Sequence, residues 1–370
     1  MDNIKGTIID EAHRIGIDVI GFAPCSVLNN AREILKDREN KGYLSGFEEK
    51  DIEKRIDPSL QLEGCKTIIS AGISYRTDEK NIKLKSSYIC KCIVSKSSWG
   101  IDYHNVLRHK LKELSQFIEC RYGARTKLFV DTGPLLEREI ARMAGVGFVG
   151  KNGFIINDEF GSFIFLGEIL LDICIEPDEP AEGGCKDCDI CIRACPTRAL
   201  CSPYTLNAKR CISYMTQSKT ISPKDYDALG CNIYGCDICQ DVCPKNKSIR
   251  FKNHTEFIPE CWNSFPDAAD ILNMDNKTYN KTFKNTASGW RGKRILQRNA
   301  VISLGNSHDR EAARYIINML SDGRKEIRET SIYALYKLLG KESFPVLKRC
   351  RDIESDDDLK RIINCLIDNA

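Results

Sequence analysis

The sequence has no long hydrophobic segment. Its most apolar run, FIFLGEILLDICI at 163–175, is interrupted by Glu168 and Asp172 and falls short of the roughly 20 residues that a transmembrane helix needs. The N-terminal residues lack a basic segment followed by an apolar block, and they carry no twin-arginine signal. These absences predict a protein with no membrane span that stays in the cytoplasm.

Low-complexity tracts and a strong net charge are missing as well. The 370 residues are 42% hydrophobic and 29% charged, with a formal net charge of +3. This composition is typical of a folded globular protein of two or three domains rather than of a disordered or fibrous chain. Because the net charge is small, any surface for nucleic acid has to be local.

Residues 1–172 have the pattern of an α/β domain. Four runs rich in β-branched or aromatic residues are bounded by Gly, Pro or Asp, namely IDVIGFAP, KTIISAGISY, KLFVDTG and SFIFLGEILLDICI. Helical stretches lie between them, such as YHNVLRHKLKELSQFIECRYG, whose apolar residues recur with the period of a helix. Strands that alternate with helices predict a layered α/β domain.

A glycine-rich stretch, AGVGFVGKNG at 144–153, matches two phosphate-binding patterns but lacks the context of either. As a P-loop it has Asn152 in place of the Ser or Thr that would hold magnesium. As a dinucleotide fingerprint it follows a helical run instead of a strand. We therefore predict a sharp turn that lets the backbone approach a large flat ligand, since glycine has no Cβ.

The 19 cysteines are distributed unevenly, and ten of them lie between 185 and 243. In a chain without a secretory signal such a cluster favours metal ligation over disulfides. CKDCDICIRACP has the C-x2-C-x2-C-x3-C-P spacing of a bacterial ferredoxin, and CDICQDVCP supplies most of a second motif. We predict a ferredoxin-like module with two 4Fe-4S clusters over 173–262. A zinc ribbon is the alternative, but zinc sites seldom use such triplets.

The ligand sets follow from the way in which paired ferredoxin motifs cross over, because the fourth Cys of one motif ligates the other cluster. The first predicted set is Cys185, Cys188, Cys191 and Cys243. The second contains Cys195, Cys236 and Cys239 but lacks one ligand, because Ile233 stands where the first Cys of the second motif would be. Spacing alone leaves three candidates for the missing ligand: Cys201, Cys211 and Cys231.

Residues 263–370 are predicted to form a basic segment followed by HEAT-like helical repeats. From 276 to 308 there is no acidic residue, whereas seven Lys or Arg residues accumulate. NAVISLG (299–305) aligns with TSIYALY (330–336) at an offset of 31 residues, a period typical of helix-pair repeats. Basic side chains with Tyr279, Phe283 and Trp290 among them can neutralise phosphates and stack on bases.

In this order the motifs resemble those of epoxyqueuosine reductases, over essentially the whole chain. The resemblance rests on RIDPSL (55–60), WGIDYHNVL (99–107), VDTGPLLERE, AGVGFVGKNG, the double-cluster segment, RCISYMT (210–216) and GKRILQRNAVISLGN. It implies an oxidoreductase that reduces epoxyqueuosine to queuosine at the wobble position of tRNA. The implied cofactors are cobalamin in the N-terminal domain and two 4Fe-4S clusters. The implied partners are tRNA carrying epoxyqueuosine and a low-potential electron donor such as ferredoxin or flavodoxin, and we expect a monomer.

The resemblance also gives roles to single residues. Asp131 would donate a proton to the departing alkoxide, which requires its pKa to be raised by a semi-buried site against the corrin; without the resemblance it is a typical turn residue. The glycine-rich stretch would form a wall of the corrin pocket, and no His would have a cofactor role. The cofactor contacts would be Arg55, Asp131, Ile155, Ser213, Tyr214 and Ser218. The second cluster would be held by Cys195, Cys211, Cys236 and Cys239. The tRNA contacts would be Lys284, Arg291, Lys293, Arg294 and Arg298.

Three other functions are weaker matches to the sequence. A corrinoid reductive dehalogenase predicts an exported precursor without a repeat tail. A ferredoxin-type electron-transfer protein leaves the N-terminal domain and Asp131 without a role. A tail that binds protein would be favoured if tRNA failed to bind.

Overall fold

The computed structural model describes residues 3–79, 82–252 and 254–368. The chain divides into two compact units that interleave along the sequence. The first unit comprises 1–78, 101–211 and 237–258, and the second comprises 79–100, 212–236 and 259–370. Among the described residues, no helix combines the length and the apolarity that a membrane crossing needs.

The strands and helices are numbered in chain order. The strands are β1 Val19–Pro24, β2 Thr67–Ser74, β3 Ile93–Val94, β4 Thr126–Phe129, β5 Phe148–Val149, β6 Ile155–Ile156, β7 Ile164–Leu171, β8 Leu200–Ser202, β9 Thr205–Leu206 and β10 Asn232–Tyr234. The helices of the first unit are α1 Ile4–Ile15, α2 Asn29–Asn40, α3 Ile52–Ile56, α4 Tyr103–Tyr122, α5 Glu137–Met143, α6 Ile190–Ala194 and α9 Ile238–Asp241. Those of the second unit are α7 Ile212–Gln217, α8 Tyr226–Leu229, α10 Cys261–Ser264, α11 Ala268–Asn273, α12 Asn276–Thr282, α13 Lys293–Asn306, α14 Ala313–Met319, α15 Lys325–Leu339, α16 Phe344–Ile353 and α17 Asp357–Asp368.

The first unit is built on a four-stranded sheet in the order β1-β2-β7-β4, and every neighbouring pair is antiparallel. The four predicted strands are confirmed. Apolar residues of α1 and α4 share one core with one face of the sheet, and α5 packs on the other face. Because helices cover both faces, β2 is buried along its whole length and carries no charged residue.

The N-terminal end of helix α4 places Asp102 and His104, two residues of the candidate active site. The Asp102 side chain caps the helix by accepting a hydrogen bond from the backbone N–H of His104. The helix ends at Gly123, whose φ of +65° is the left-handed conformation that glycine adopts easily. Its predicted apolar face is buried in the first unit, at Val106, Leu107, Leu111, Leu114 and Ile118.

The glycine-rich stretch forms a β-hairpin, because β5 pairs with β6 in antiparallel register, Phe148 with Ile156 and Val149 with Ile155. A Cβ on Gly147 would lie 2.6 Å from the carbonyl oxygen of Ile156. Glycine is therefore needed here for close packing of the two strands. No helix starts at this hairpin, so the structure agrees that the stretch is neither a P-loop nor a dinucleotide fingerprint.

The second unit contains the helical repeats, in which α13 packs against α15 and α16 against α17. The two equivalent residues Ile316 and Leu347 are fully buried, as the 31-residue offset predicts. Gly305 lies where α13 and α15 approach closely, since a Cβ at this position would be 2.9 Å from the Cβ of Ala334. The mixed α/β class with HEAT-like repeats in the C-terminal region is thus confirmed.

Candidate active site and cluster sites

The first predicted cysteine set converges on one cavity of about 240 Å³. Its lining includes Cys185, Cys188, Cys191 and Cys243, all in the first unit. Helices α6 and α9 pack against each other, which brings the two ferredoxin motifs side by side. Among the described residues, no three ligating side chains lie close enough together to hold a single metal ion.

The thiols in this cavity interact electrostatically. Burial raises the pKa of Cys191, and the neighbouring Cys185, Cys243 and Cys188 raise it further. Burial also raises the pKa of Cys243, with Cys185 and Cys188 adding to the effect. Four thiolates that repel one another need a cationic centre to neutralise them, so the donor set and the cavity fit a 4Fe-4S cluster.

The glycine-rich hairpin borders this cavity. The backbone N–H of Lys151 donates to Cys185 Sγ at 3.4 Å, and Lys151, Asn152 and Ile156 are among the lining residues. Backbone donors to cluster sulfurs tune the reduction potential of iron–sulfur sites. The hairpin that we expected beside a corrin therefore lies against the first cluster site, and its contact with a corrin stays a prediction.

The second predicted set is spread over more elements. Cys195 follows α6, Cys211 precedes α7, Cys239 lies in α9, and Cys236 belongs to the second unit. Of the two cysteines left without a role, Cys201 is exposed, and Cys231 has its Sγ 3.7 Å from that of Cys90. The assignment of Cys211 as the fourth ligand stays a prediction.

Asp131 lies in the loop between β4 and α5 and has an unusual backbone conformation. Its φ is +53°, which non-glycine residues seldom adopt and which costs of the order of 1 kcal/mol or more. Its backbone N–H donates to Glu137 Oε1 at 2.6 Å, which holds the strained turn. The side chain is 56% exposed, so the carboxylate is presented to solvent and to any ligand there.

The side chain of His104 contacts that of Asp131 directly. Its Nε2 lies 3.2 Å from Asp131 Oδ2, and its Nδ1 lies 2.7 Å from Asp102 Oδ1. The preceding residue, Tyr103, stacks on Phe165 of β7 with ring centroids 4.0 Å apart. The helix cap and this stacking together fix the imidazole between two carboxylates.

This arrangement corrects our expectation for the pKa of Asp131. The hydrogen bond from His104 lowers the pKa of Asp131, and although burial opposes it the net direction is downward. Burial lowers the pKa of His104, but the bonds to Asp102 and Asp131 outweigh it and raise the pKa to about 9. At neutral pH the transferable proton is therefore held by the His104–Asp131 pair, mainly on the imidazole, rather than by an isolated protonated carboxyl.

The other predicted cofactor residues are divided between the units. Arg55 in α3 and Ile155 in β6 belong to the first unit, and Ser213, Tyr214 and Ser218 belong to the second, in and just after α7. Burial lowers the pKa of Arg55, and the nearby Arg38 lowers it further while Glu48 opposes both. The buried Nε of Arg38 has no hydrogen-bond partner in the described part of the chain. Two neighbouring guanidiniums, one of which has an unpaired donor, fit the amide- and phosphate-bearing rim of a cobalamin.

Arg298 corrects the predicted set of RNA contacts. It is 2% exposed, and its guanidinium donates to the backbone carbonyls of Met215, Ser218 and Lys219. Its charge is therefore used inside the second unit, where it anchors the C-terminal end of α7, and it does not face a phosphate. Arg298 instead supports the segment that carries Ser213, Tyr214 and Ser218.

The remaining predicted RNA contacts lie at or near the surface of the second unit. Lys284 and Arg294 are exposed, whereas Arg291 and Lys293 are half-buried. Arg294 forms an ion pair with Glu326, which reduces its free charge. Of the three aromatic residues that were predicted to stack on bases, only Trp290 is exposed, at 51%, because Phe283 is a core residue and the Tyr279 hydroxyl donates to the carbonyl of Gly289.

The four thiols with ferredoxin spacing that line one cavity indicate an iron–sulfur protein. The His104–Asp131 pair in the same unit indicates an enzyme that transfers protons as well as electrons. It is therefore an oxidoreductase by class. Family models match the chain in three places: "Epoxyqueuosine reductase QueG, DUF1730" at 55–132, "4Fe-4S double cluster binding domain" at 184–246 and "HEAT repeats" at 292–366.

Full-length relatives agree. The epoxyqueuosine reductase of Bacillus anthracis is 38% identical over 366 residues, which is 98% of this chain and 96% of that protein. A crystal structure of an epoxyqueuosine reductase with an epoxyqueuosine-modified tRNA-Tyr stem loop has a TM-score of 0.94 at 38% identity, covering 99% of this chain and 98% of the other. A Bacillus subtilis structure with its catalytic aspartate loop swung out of the active site has a TM-score of 0.93 at 37% identity, with the same coverage. The chain belongs to the epoxyqueuosine reductase family.

This membership confirms the family predicted from the sequence motifs and does not support the dehalogenase or the simple electron-transfer protein. The family's cofactors are cobalamin and two 4Fe-4S clusters, as predicted. Sequence reasoning missed His104 and its partner Asp102. The signal was available, since both lie in the WGIDYHNVL motif that contributes to the resemblance.

Proposed function

We propose that this chain reduces epoxyqueuosine in tRNA to queuosine, with Asp131 and His104 as the proton-donating pair. The observation that carries the proposal is the hydrogen bond between His104 in α4 and Asp131 on an exposed loop, in the same unit as a complete cysteine set. The reaction converts an epoxide into an alkene and water, and it consumes two electrons and two protons. Cobalamin, when bound, supplies the strongly reducing centre that delivers electrons to the epoxide carbon.

The chain's own residues supply the acid. As the C–O bond breaks, charge develops on the epoxide oxygen, and a positioned donor stabilises it by transferring a proton. The proton moves from His104 Nε2 to Asp131 Oδ2 and from there to the oxygen. Asp102 holds the imidazole in place by accepting from Nδ1, and it stabilises the imidazolium until the transfer takes place.

We infer that three regions of the chain have the separate roles predicted from the sequence. Residues 1–172 would bind cobalamin, 173–262 would hold both clusters and relay electrons, and 263–370 would bind the tRNA. A low-potential donor such as ferredoxin or flavodoxin would reduce the clusters, and the chain would act as a monomer in the cytoplasm. Cobalamin would contact Arg55, Asp131, Ile155, Ser213, Tyr214 and Ser218.

For the tRNA we propose contacts from Lys284, Arg291, Lys293 and Arg294, together with Trp290. The Arg291 guanidinium lies 4.0 Å from the centroid of the Trp290 ring, so the indole and the guanidinium present adjoining flat faces. Flat faces of this kind stack on unpaired bases, which is how proteins commonly recognise single-stranded RNA loops.

Incubation of the reconstituted protein with epoxyqueuosine-containing tRNA, cobalamin and a low-potential reductant, followed by nucleoside analysis, tests the function. Queuosine is the expected product. Asp131→Asn should abolish turnover while cobalamin still binds, as followed by its absorption spectrum. Absence of queuosine with the fully reconstituted wild-type protein would refute the proposal, and wild-type turnover by Asp131→Asn would refute the role of Asp131.

A further inference from the structure

Two glutamates lie behind Asp131 in the first unit. Glu137 is the first residue of α5, and its Oε1 accepts the backbone N–H of Asp131 at 2.6 Å. Glu168 lies in β7, paired with Phe129 of β4 and with Ser70 of β2. It is 0% exposed. Because α5 packs on β7, the carboxyl groups of Glu137 and Glu168 face each other.

Glu168 has no partner that would favour its charged form. When both glutamates are ionised, neither carboxyl oxygen of Glu168 has a hydrogen-bond donor within the described residues. A proton on Glu168 changes this, because the protonated group can donate to Glu137. An ionised carboxylate that is buried without a partner is strongly disfavoured, so the geometry requires a proton at this position.

Burial and the neighbouring carboxylates also favour the protonated form of both glutamates. Burial raises the pKa of Glu168 well above its ordinary value, and Glu137 and Asp131 raise it further. Burial likewise raises the pKa of Glu137 to about 8, with Asp131 adding to the effect and with Arg138 and His104 opposing it. Glu137, the buried acid that contacts Asp131, is therefore protonated at neutral pH.

The reaction needs such a group. Two protons are consumed for each epoxide reduced, whereas the His104–Asp131 pair holds one. In the free protein Asp131 can exchange protons with water, since its side chain is 56% exposed. A bound cofactor and a bound base would cover the same face and exclude water, so the second proton has to come from inside the protein.

We propose that Glu137 and Glu168 store the second proton and return it to Asp131 within the same turnover. This inference rests on the proposed function. Asp131 first protonates the epoxide oxygen as one C–O bond breaks, and Glu137 then reprotonates Asp131 and is itself reprotonated by Glu168. The second proton reaches the new hydroxyl, which leaves as water when the other C–O bond breaks, and the two electrons come from the external reductant through the clusters. Neither glutamate touches substrate, so both are positioning residues.

Infrared difference spectroscopy of the apoprotein tests the stored proton without any turnover. The wild-type protein should show the carbonyl stretches of buried, protonated carboxyls at pH 7, and Glu168→Gln should lose the stretch that belongs to Glu168. Ser70→Ala is the matched control, since Ser70 lies directly opposite Glu168 and holds no transferable proton. A wild-type spectrum without such a band at pH 7 would overturn the proposal. This measurement on the wild-type protein does not depend on how any variant folds.

Single-turnover kinetics test the relay. Glu137→Gln and Glu168→Gln should slow queuosine formation about 100-fold, a typical effect of losing a positioned proton donor, while tRNA affinity and iron content stay unchanged. The wild-type rate should fall as the pH rises through about 8, and this limb should be absent in Glu137→Gln. Ser70→Ala should keep the wild-type rate and profile. Wild-type rates in both glutamine variants would refute the relay even if the infrared band is present, whereas an inactive wild-type protein that shows the band would refute the proposed function instead.

Discussion

Replacing His104 by Gln tests where the acidic proton resides. In the wild-type protein the pKa of His104 is raised from 6.5 to about 9, which is about 2.5 pKa units. At about 1.4 kcal/mol per unit this corresponds to about 3 kcal/mol of extra affinity for the proton, or a factor of the order of 300. Asp102 and Asp131 produce this effect together, and His104→Gln removes the group on which both of them act.

Without His104, Asp131 has to hold the proton by itself, and it loses the bond that lowers its own pKa. The single-turnover rate at pH 8 should therefore fall by up to about 300-fold, and less at lower pH, where Asp131 is more fully protonated. Cobalamin binding should not change. The assay is queuosine formation under single-turnover conditions between pH 5.5 and 9.5.

Titration of the His104 side chain by NMR in the apoprotein provides the independent check. The wild-type pKa should be near 9, and both Asp102→Asn and Asp131→Asn should lower it. The effect of Asp102→Asn should be larger, because Asp102 is the closer partner, at 2.7 Å against 3.2 Å. A wild-type pKa near 6.5 would refute the reasoning, and so would a full rate in His104→Gln at pH 8.

Three further outcomes are expected. Because the pKa of His104 is raised on folding, its hydrogen bonds contribute stability that is fully present below about pH 6.5 and is lost as the pH rises through about 9. The Tm of the wild-type apoprotein should therefore fall over this pH window, and the Tm of His104→Gln should fall less. Arg298→Ala removes the guanidinium that donates to the carbonyls of Ser218 and Lys219, and it should cost about 3 kcal/mol by urea unfolding without changing the salt dependence of tRNA binding. Replacing the exposed Lys284 by Ala should do the opposite and reduce the salt slope by about 1. Equal effects of the two variants on the slope would contradict the assignment. Cys211→Ser should lower the iron content from about eight to about four atoms per chain on anaerobic reconstitution, whereas Cys201→Ser should not, and the reverse result would exchange their roles.

The sequence predicts most of the fold because its patterns are local. Four apolar runs became the four strands of the sheet, and the spacing of Cys185, Cys188 and Cys191 with Cys243 became the lining of one cavity. Ferredoxin spacing is a property of a few consecutive residues, so it can be read without knowing the rest of the chain. The same holds for the 31-residue repeat, whose equivalent core residues are Ile316 and Leu347.

Arg298 shows what a linear pattern does not contain. It lies in a stretch without any acidic residue, which predicts an RNA-binding surface, yet its neighbours in space are backbone carbonyls rather than solvent. A helix in a repeat has one face inward, and a basic residue on that face is buried whatever the composition of the stretch. The number of basic residues in this stretch therefore overestimates the number that can bind a phosphate, by at least Arg298.

The acid at Asp131 depends even more on long-range placement. His104 lies 27 residues before Asp131 and Glu168 lies 37 residues after it, and only the antiparallel pairing of β4 with β7 and the start of α4 bring them around one carboxyl. In the sequence, Glu168 is an interruption of the most apolar segment and counts only as a reason to exclude a membrane span. In the folded protein the same glutamate is fully buried, and among the described residues neither of its carboxyl oxygens has a hydrogen-bond donor, so it keeps its proton. A glutamate that is costly to bury in the central part of a sheet is thus explained by the chemistry next to it, since the reduction of an epoxide to an alkene consumes two protons and the exposed pair holds only one.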